Sequence, residues 1–238
     1  MNDELSRTRM LLGGEGMERL RRARVALFGL GGVGGYALEA LLRSGVGALD
    51  LVDHDTIAPS NLNRQLLALH STLGMSKTEA ARARAADVAP ETAIRCYPVF
   101  FTPQNADDFC FSDYDYVIDA IDTVTAKLAL VCRAKAAGVP VISCMGTGNR
   151  LDPARLRITD LSETSGCPLA RVMRKELRRR GIEHLKVLAS TELPHVEEES
   201  GETRGSQDRP VPGSVAFVPS VAGLMIAGEV IRELAGLE

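Results

Sequence analysis

Short apolar runs alternate with longer amphipathic segments through the first two thirds of the chain, and this alternation predicts the fold. Runs rich in β-branched residues indicate strands at residues 25–30, 48–53, 93–100, 116–121 and 139–145. Three segments of helical length lie between these runs, at 33–45, 76–88 and 123–138. Strands that alternate with helices form parallel βαβ units. We therefore predict an α/β fold with a Rossmann-like, mainly parallel sheet and helices on both faces.

The pattern changes after residue 150. Short runs at 156–160, 184–190 and 214–219 predict further strands, which we expect to extend the sheet as antiparallel additions. Helices are expected near 167–181 and from about residue 220 to residue 235. The C-terminal part thus departs from the regular βαβ rhythm.

Length and composition favour one ordinary domain. The 238 residues are enough to bury a core, and we expect a single adenylylation-type domain over residues 1–238, in which the polar segment 192–210 is a mobile loop. The apolar stretch 221–231 is shorter than the ~20 residues that span a bilayer. No secretion signal is evident, so a cytoplasmic location without a membrane span is the default expectation. The five cysteines form no C-x-x-C pair, so we expect reduced thiols and no structural zinc.

A glycine-rich turn follows the first predicted strand and opens a helix. It contains Gly29, Gly31, Gly32 and Gly34, and three of these satisfy G-x-G-x-x-G in the context that this fingerprint requires. Glycine lets backbone N–H groups approach a phosphate at the helix N-terminus. Asp53 ends the next strand, where a carboxylate can hold ribose hydroxyls. The pattern predicts a nucleotide site, although it fits NAD as well as ATP.

Charged residues downstream favour a nucleotide that is cleaved. An enzyme that splits ATP must neutralise charge on moving phosphates, and Arg64 and Lys77 can meet that demand. Asp122 follows the fourth strand at the ligand-binding edge and can carry Mg²⁺, whereas strand alternation points Asp119 to the opposite face. Ordinary explanations stay open, because Asp122 could cap a helix, Lys77 could be a solvated charge and Asn61 could form a turn.

A set of spaced motifs between residues 29 and 127 resembles the ubiquitin-activating-enzyme-like superfamily, the ThiF and MoeB group. The motifs are GLGGVGG, Asp53-x-Asp55, SNLNRQ, Lys77 and AIDTVTAK. Bacterial members adenylylate the C-terminus of sulfur-carrier proteins. The resemblance implies ATP as the nucleotide, with roles for Asp53 on ribose, for Asn61, Arg64 and Lys77 on phosphates, and for Asp122 on the metal and the adenylate.

In these families an arginine near the N-terminus reaches across a homodimer to the ATP of the partner. Arg7 resembles that residue, and Arg9 stays open as an alternative. The resemblance therefore implies a homodimer in which each copy completes the site of the other.

Longer segments resemble the tRNA threonylcarbamoyladenosine dehydratase family in particular. They are SRTRMLLGGEG, VIDAIDTVTAK, SCMGTGNRLDPARLRITD and CPLARVMRKELRRRG. This resemblance implies an enzyme that uses ATP and Mg²⁺ to activate the threonyl carboxylate on the adenosine next to the anticodon, after which loss of water closes a ring. It also implies sulfur-transfer partner proteins of the cysteine desulfurase type.

Other functions stay open at this point. The main alternative is an adenylyltransferase that activates the C-terminus of a sulfur-carrier or ubiquitin-like protein. A non-catalytic nucleotide-binding scaffold is another. An NAD-linked oxidoreductase is disfavoured, because the four histidines are scattered and none lies in an evident acid/base context.

A basic segment could contact RNA although the whole chain has a net charge of −3. Helical spacing of Leu169, Val172, Met173 and Leu177 predicts one buried stripe and a basic exposed face. That face could follow the phosphates of a tRNA arm, or it could be a solvated surface. Candidate tRNA contacts are Arg171, Arg174, Lys175 and Arg178.

The loop after the fifth strand is a candidate wall of the substrate pocket. It contains Gly146 and Thr147 at the ligand-binding edge of the sheet, although a glycine-rich turn need not bind anything. Cys167 lies near the start of the basic helix, where a thiol can be activated. A lone cysteine is more often an apolar filler, which is the interpretation we favour.

Overall fold

A seven-stranded, mainly parallel sheet lies at the centre of the computed structural model, which describes residues 4–195, 203–204 and 209–237. The strands are β1 (Arg24–Phe28), β2 (Ala48–Val52), β3 (Ala93–Tyr97), β4 (Tyr116–Asp119), β5 (Val141–Cys144), β6 (Leu156–Asp160) and β7 (Lys186–Ser190). Their spatial order is β3-β2-β1-β4-β5-β7-β6, and only the β6–β7 pair is antiparallel. The predicted fold class is confirmed.

Helices cover both faces of this sheet. They are α1 (Ser6–Arg22), α2 (Gly34–Arg43), α3 (Lys77–Val88), α4 (Val124–Ala136), α5 (Pro168–Arg178) and α6 (Phe217–Ala235). Residues of α1, α2, α3 and α6 belong to one buried apolar cluster, and residues of α4 and α5 belong to the other. Side chains of β1 alternate between the two clusters, since Val25 and Leu27 join the first and Ala26 and Phe28 the second. Burial on both faces explains why the strand reads as an unbroken apolar run.

Three elements differ from the sequence prediction. Helix α1 was not predicted, because the Gly13–Gly14 pair interrupts the helical pattern, and the helix is kinked at Gly13 with φ +71°. The predicted strand at 214–219 is wrong, since α6 begins at Phe217. An apolar run of that length fits a buried helix as well as a strand. Strand β7 is parallel to β5, so β6 alone is the antiparallel addition to the main sheet.

The predicted mobile loop at 192–210 lies largely outside the described residues. Within it, Thr203–Arg204 and Arg209–Pro210 pair as a two-stranded antiparallel ladder. Among the described helices, none has both the length and the apolar character needed to cross a membrane.

Helix α6 links the carboxyl ends of the parallel strands to α1. Pro219, in its first turn, lies beside Gly32, because a Cβ built on Gly32 would be 3.2 Å from the Pro219 side chain. Gly223 allows contact with α2, since a Cβ there would overlap the carbonyl oxygen of Val33. At the other end, Ala235 lies against Gly16 of α1. The helix thus spans from the glycine turn to the first helix of the chain.

Candidate nucleotide and substrate site

The turn between β1 and α2 can be built only with glycine at two positions. Gly29 has φ +93°, and a Cβ there would lie 2.6 Å from the carbonyl oxygen of Ala120. A Cβ on Gly34 would overlap the carbonyl oxygen of Gly29. Gly31 and Gly32 are partly exposed between them. The turn therefore opens the N-terminus of α2 to the solvent, as an anion-binding site requires.

Asp53 is bonded directly to this turn. Its Oδ2 accepts the backbone N–H of Leu30 at 2.6 Å, and its Oδ1 accepts the backbone N–H of Asp55 at 2.9 Å. The carboxylate follows β2 and is fixed beside the end of β1. An oriented carboxylate in this position can accept further hydrogen bonds from the hydroxyls of a ribose.

Lys77 is a buried cation at the same edge. Its Nζ lies 2.6 Å from Asp55 Oδ2 and 3.9 Å from Asp53 Oδ2, and the residue is only 5% exposed. Ser76 caps α3 by accepting the N–H of Glu79, and the backbone N–H of Lys77 donates to the Asp55 carbonyl. The sequence alternative of a solvated charge does not describe this lysine.

A candidate cation site includes His54, for which the sequence pattern indicated no role. His54 Nε2 lies 3.2 Å from Asp55 Oδ1, and the His54 ring packs against Phe100 with centroids 4.6 Å apart. Asp53, His54 and Asp55 each offer a ligand atom, and these atoms lie within 4.8 Å of one another. The sequence feature that could have indicated this site is the D-H-D pattern at residues 53–55, since a short loop brings two carboxylates and an imidazole together.

Arg64 lies over the glycine turn. A Cβ built on Gly32 would be 3.6 Å from Arg64 Cγ, and the Arg64 Nη1 donates to the carbonyl of Ser60 at 2.8 Å. Asn61 accepts the backbone N–H of Ala58 through its Oδ1. Its side chain therefore closes the local turn, as one of the sequence alternatives proposed.

Asp122 lies in the loop after β4, next to the same turn. The carbonyl of Ala120 faces Gly29, and the Ala120 N–H donates to Phe28 at 2.8 Å, so this loop is packed against the end of β1. Asp122 is exposed and accepts the Thr123 hydroxyl at 3.4 Å. The N-cap position of α4 is Thr123, one residue after Asp122, and the Thr123 side chain makes no capping bond.

Three further segments meet beside this edge. In the loop after β5, a Cβ on Gly148 would be 2.8 Å from Pro212, and the Asn149 N–H donates to Gly213 at 2.8 Å. Asn63, which the sequence analysis did not single out, donates its side-chain amide to the Ser214 carbonyl at 3.0 Å. Residues 212–214 thus bridge the loop that carries Arg64 and the loop after β5.

The loop after β5 is held in a defined backbone conformation by close packing and burial. Gly146 lies next to Cys167, whose sulfur would be 3.7 Å from a Cβ there, and Thr147 is partly exposed. Asn149 has φ +57°, an uncommon conformation for a residue with a side chain. Arg150 is almost fully buried, and among the residues that the structure describes its Nε has no hydrogen-bond partner.

The neighbouring thiols have no evident nucleophilic role. Burial raises the pKa of the Cys144 thiol to about 12, so this group is protonated at neutral pH. Cys167 is also buried, as expected for an apolar filler.

The basic residues of α5 border a surface cavity of about 450 Å³. The cavity is lined by Arg171, Arg174, Lys175, Arg178 and Arg179. Arg174 is bound structurally, since its guanidinium donates to the carbonyls of Leu161 and Thr164. Arg171, Lys175 and Arg178 are exposed, and within the described chain none has an acidic partner in a salt bridge. Ala170 joins Met173 and Leu177 in the buried stripe, whereas Val172, predicted to be buried, is 43% exposed.

Arg7 is not part of this group in a single copy of the chain. It is exposed on α1, and Leu5, two residues before it, contacts Gly45 in the turn that enters β2. That turn lies at the opposite edge of the sheet from the glycine turn. The structure thus brings together Gly29, Gly31, Gly32, Gly34, Asp53, Asp55, Arg64, Lys77 and the loop of Asp122.

Comparisons with known proteins agree with this geometry. The ThiF family model matches residues 5–238. The tRNA threonylcarbamoyladenosine dehydratase of Bacillus subtilis is 41% identical over 242 residues, which cover 98% of this chain and 95% of that protein. The crystal structure of the Escherichia coli enzyme TcdA, in complex with ATP, superposes with a TM-score of 0.88 at 29% identity, over 98% of this chain and 94% of that chain. The adenylyltransferase and sulfurtransferase UBA4 of Candida glabrata is 35% identical over 152 residues, which cover 64% of this chain and 34% of that protein.

Proposed function

The chain belongs to the ThiF family, and from this premise we propose that it is an ATP-dependent tRNA threonylcarbamoyladenosine dehydratase. The resemblance that the sequence motifs indicated is confirmed by the family match. The observation that carries the proposal is the meeting of a glycine turn, a fixed carboxylate and two cations at one edge of the sheet. The similarity to the ATP complex of TcdA supports ATP as the nucleotide.

The proposed reaction activates a carboxylate. The threonyl carboxylate of the modified adenosine attacks the α-phosphorus of ATP, and pyrophosphate leaves. A nitrogen of the same side chain then attacks the acyl carbon, the ring closes, and AMP leaves with the oxygen that would otherwise depart as water. An acyl-adenylate has a stabilised phosphate as its leaving group, so the protein mainly supplies charge and position.

We assign roles to the described residues as follows. The glycine turn and the N-terminus of α2 hold phosphates, and Asp53 holds the ribose. Arg64 and Lys77 neutralise the charge that moves from the α-phosphate to pyrophosphate. The side chain of Asn61 acts on the phosphates only indirectly, since it is bonded to its own turn.

Mg²⁺ is proposed as the metal, since hard carboxylate oxygens are available at this edge. Asp122 would carry it, and Asp53 and Asp55, which form a cluster with His54, offer further oxygen donors. When bound, the ion would neutralise charge on the phosphates. Gly146 and Thr147, in the loop after β5, are proposed to line the pocket for the modified base.

A homodimer is proposed in which Arg7 acts on the ATP of the other copy. Two observations support this arrangement. Arg7 lies at the end of the sheet opposite to the glycine turn of its own copy. On the same helix, the apolar residues Met10 and Leu11 are 84% and 83% exposed to solvent. The proposed tRNA contact is the cavity-lining face of α5. We further propose that residues 1–238 form one domain that works in the cytoplasm, and that sulfur-transfer proteins are partners by family resemblance.

The decisive experiment incubates the purified protein with ATP, Mg²⁺ and tRNA that carries threonylcarbamoyladenosine. We expect a nucleoside that is lighter by one water, formed together with AMP and pyrophosphate. Formation of no such product, while a sulfur-carrier protein ending in Gly-Gly stimulates ATP–pyrophosphate exchange, would support the adenylyltransferase alternative. The partial similarity to UBA4 is the observation behind that alternative.

A further inference from the structure

A fully buried ion pair lies beneath the loop that carries Asp122. Lys127 Nζ is 2.9 Å from Asp119 Oδ2, and neither side chain is exposed to solvent. A buried charge without its partner is strongly unfavourable, so the two residues act as one unit. Neither residue has a role in the reaction described above.

This ion pair holds the backbone of Ile121 from both sides. The Ile121 N–H donates to Asp119 Oδ1 at 3.2 Å, and the Ile121 carbonyl accepts from Lys127 Nζ at 3.0 Å. Ile121 directly precedes Asp122. The peptide that leads into the proposed metal ligand is therefore fixed by two charged groups that are themselves fully buried.

The same lysine also binds the next strand. Its Nζ donates to the carbonyl of Cys144, the last residue of β5, at 2.8 Å, and Ser143 donates its hydroxyl to Asp119 at 2.5 Å. An ammonium has three hydrogens, and all three have acceptors here. None is left for a ligand, so Lys127 can act on the reaction only through the backbone that it holds.

We propose that Lys127 is a positioning residue that joins the loop of Asp122 to the loop after β5. It fixes Ile121 and Cys144 relative to each other, so the proposed metal ligand and the proposed wall of the substrate pocket keep one arrangement. The assignment of Asp122 to the nucleotide rests on the proposed function. Preorganisation of this kind matters because small displacements of a binding group are costly for both affinity and rate.

The test compares Asp119→Asn with the double variant Asp119→Asn/Lys127→Met. Both lack the ion pair, but only the first keeps an amine that can donate to the carbonyls of Ile121 and Cys144. Asp119→Asn leaves the Lys127 ammonium buried without its carboxylate, so we expect it to have the lower melting temperature, and if it does not fold, the double variant is compared with the unaltered protein instead. We expect Asp119→Asn to bind ATP in the presence of Mg²⁺ within about threefold of the unaltered protein, and the double variant to bind at least about tenfold more weakly. Equal ATP affinity in the two folded variants would overturn the proposal.

A control removes a different, partly buried ion pair of the same sheet. Arg24 Nη1 and Asp50 Oδ1 are 2.7 Å apart at the amino end of β1 and in β2, away from the glycine turn. We expect Arg24→Met/Asp50→Asn to lower the melting temperature without weakening ATP binding. An equal loss of ATP affinity in this control would mean that general softening of the sheet explains the effect, and the positioning role would be rejected.

Two further arrangements keep the result interpretable. If the double variant does not fold, Asp119→Asn/Lys127→Gln replaces it, because the shorter amide cannot reach both carbonyls; the same loss is expected, and unchanged affinity would refute the proposal. ATP and Mg²⁺ binding are measured without tRNA. A protein that binds ATP but does not dehydrate the tRNA would contradict the proposed function and leave this test valid.

Discussion

Gly34 and Gly29 touch through their backbones, because a Cβ on Gly34 would overlap the carbonyl oxygen of Gly29. The first turn of α2 therefore lies directly against the turn that follows β1. We expect Gly34→Ala to lower the free energy of unfolding by roughly 3 kcal/mol or more, since only a backbone shift can remove the overlap. Urea unfolding measures the loss, and ATP binding should disappear with it.

The control for this substitution is Gly228→Ala in α6. No atom lies within 4 Å of a Cβ built there. We expect this variant to be more stable by about 0.5–1 kcal/mol, because alanine is the better helix former. If Gly34→Ala and Gly228→Ala had the same stability, the close packing of the glycine turn would be contradicted.

Replacement of Arg64 should affect the reaction more than the fold. The side chain lies over the turn and is held by the Ser60 carbonyl, so it is placed before a nucleotide arrives. We expect Arg64→Ala to reduce kcat/KM by about 10²–10³, the usual cost of removing one preorganised donor to developing charge. Initial rates of AMP formation measure the effect. Arg21→Ala, on the exposed surface of α1, is the control and should react at the normal rate.

The exposed basic face of α5 should set the salt dependence of tRNA binding. The substitutions are Arg171→Ala, Lys175→Ala and Arg178→Ala, made together. If each cation contacts one phosphate, the slope of log K against log salt concentration should become smaller by about 2 to 3. Fluorescence titration of labelled tRNA at several salt concentrations measures this slope.

The control for the basic face of α5 is a triple variant of α1 that changes the net charge by the same amount. Arg19, Arg21 and Arg22 lie on α1, where they form salt bridges with Glu15 and Glu18. We expect the variant with alanine at these positions to keep the original slope. A similar decrease in both triple variants would point to overall charge rather than to a docking surface.

Subunit mixing can test whether Arg7 acts on the other copy. In a mixed dimer of Arg7→Ala and Arg64→Ala chains, one of the two sites would regain both arginines. Random pairing after coexpression should then restore about a quarter of the original activity, whereas either variant alone should be nearly inactive. No recovery would place Arg7 in its own site or in none. The same experiment with Arg9→Ala decides between the two arginines.

Acid should weaken the contact between α2 and α3. The hydrogen bond from Arg84 lowers the pKa of Glu39 below its ordinary value of 4.5, although burial acts in the opposite direction. A carboxylate whose pKa is lowered by folding stabilises the folded state at pH values above its pKa in the unfolded chain. That contribution is lost as the pH falls through its pKa in the folded protein. We therefore expect the free energy of unfolding of the unaltered protein to be about 1 kcal/mol higher than that of Glu39→Gln at neutral pH. This difference should shrink below pH 4.5. Urea unfolding across this pH range is the measurement, and a constant difference would contradict the assignment.

Local patterns were enough to predict the nucleotide edge of the fold. The apolar runs of β1 and β2 are buried on both faces, so their sequence shows directly that they are central strands. Gly29 and Gly34 meet requirements of a single short turn, which a fingerprint of six residues can express. These features depend on neighbours in the chain, and for that reason the sequence alone indicates them.

Features that depend on contacts between distant segments were not predicted. Nothing in the sequence of α4 marks Lys127 as different from a surface lysine. Only the fold brings its ammonium to the carbonyl of Cys144. The start of α6 was taken for a strand, because a short, mainly apolar run such as 214–219 fits a helix as well as a strand. Val172 shares the apolar spacing of α5 but is 43% exposed, and only the fold shows which of these side chains are covered.

Helix α6 connects two distant parts of the fold, since Pro219 at one end packs beside Gly32 of the glycine turn and Ala235 at the other packs against Gly16 of α1. Its 19 residues form a rod about 28 Å long. A tilt of one degree about either end would displace the opposite end by about 0.5 Å, given that length. The proposed nucleotide at the glycine turn and the proposed second subunit at α1 would therefore lie at opposite ends of one helix, and a movement at either end would displace the other.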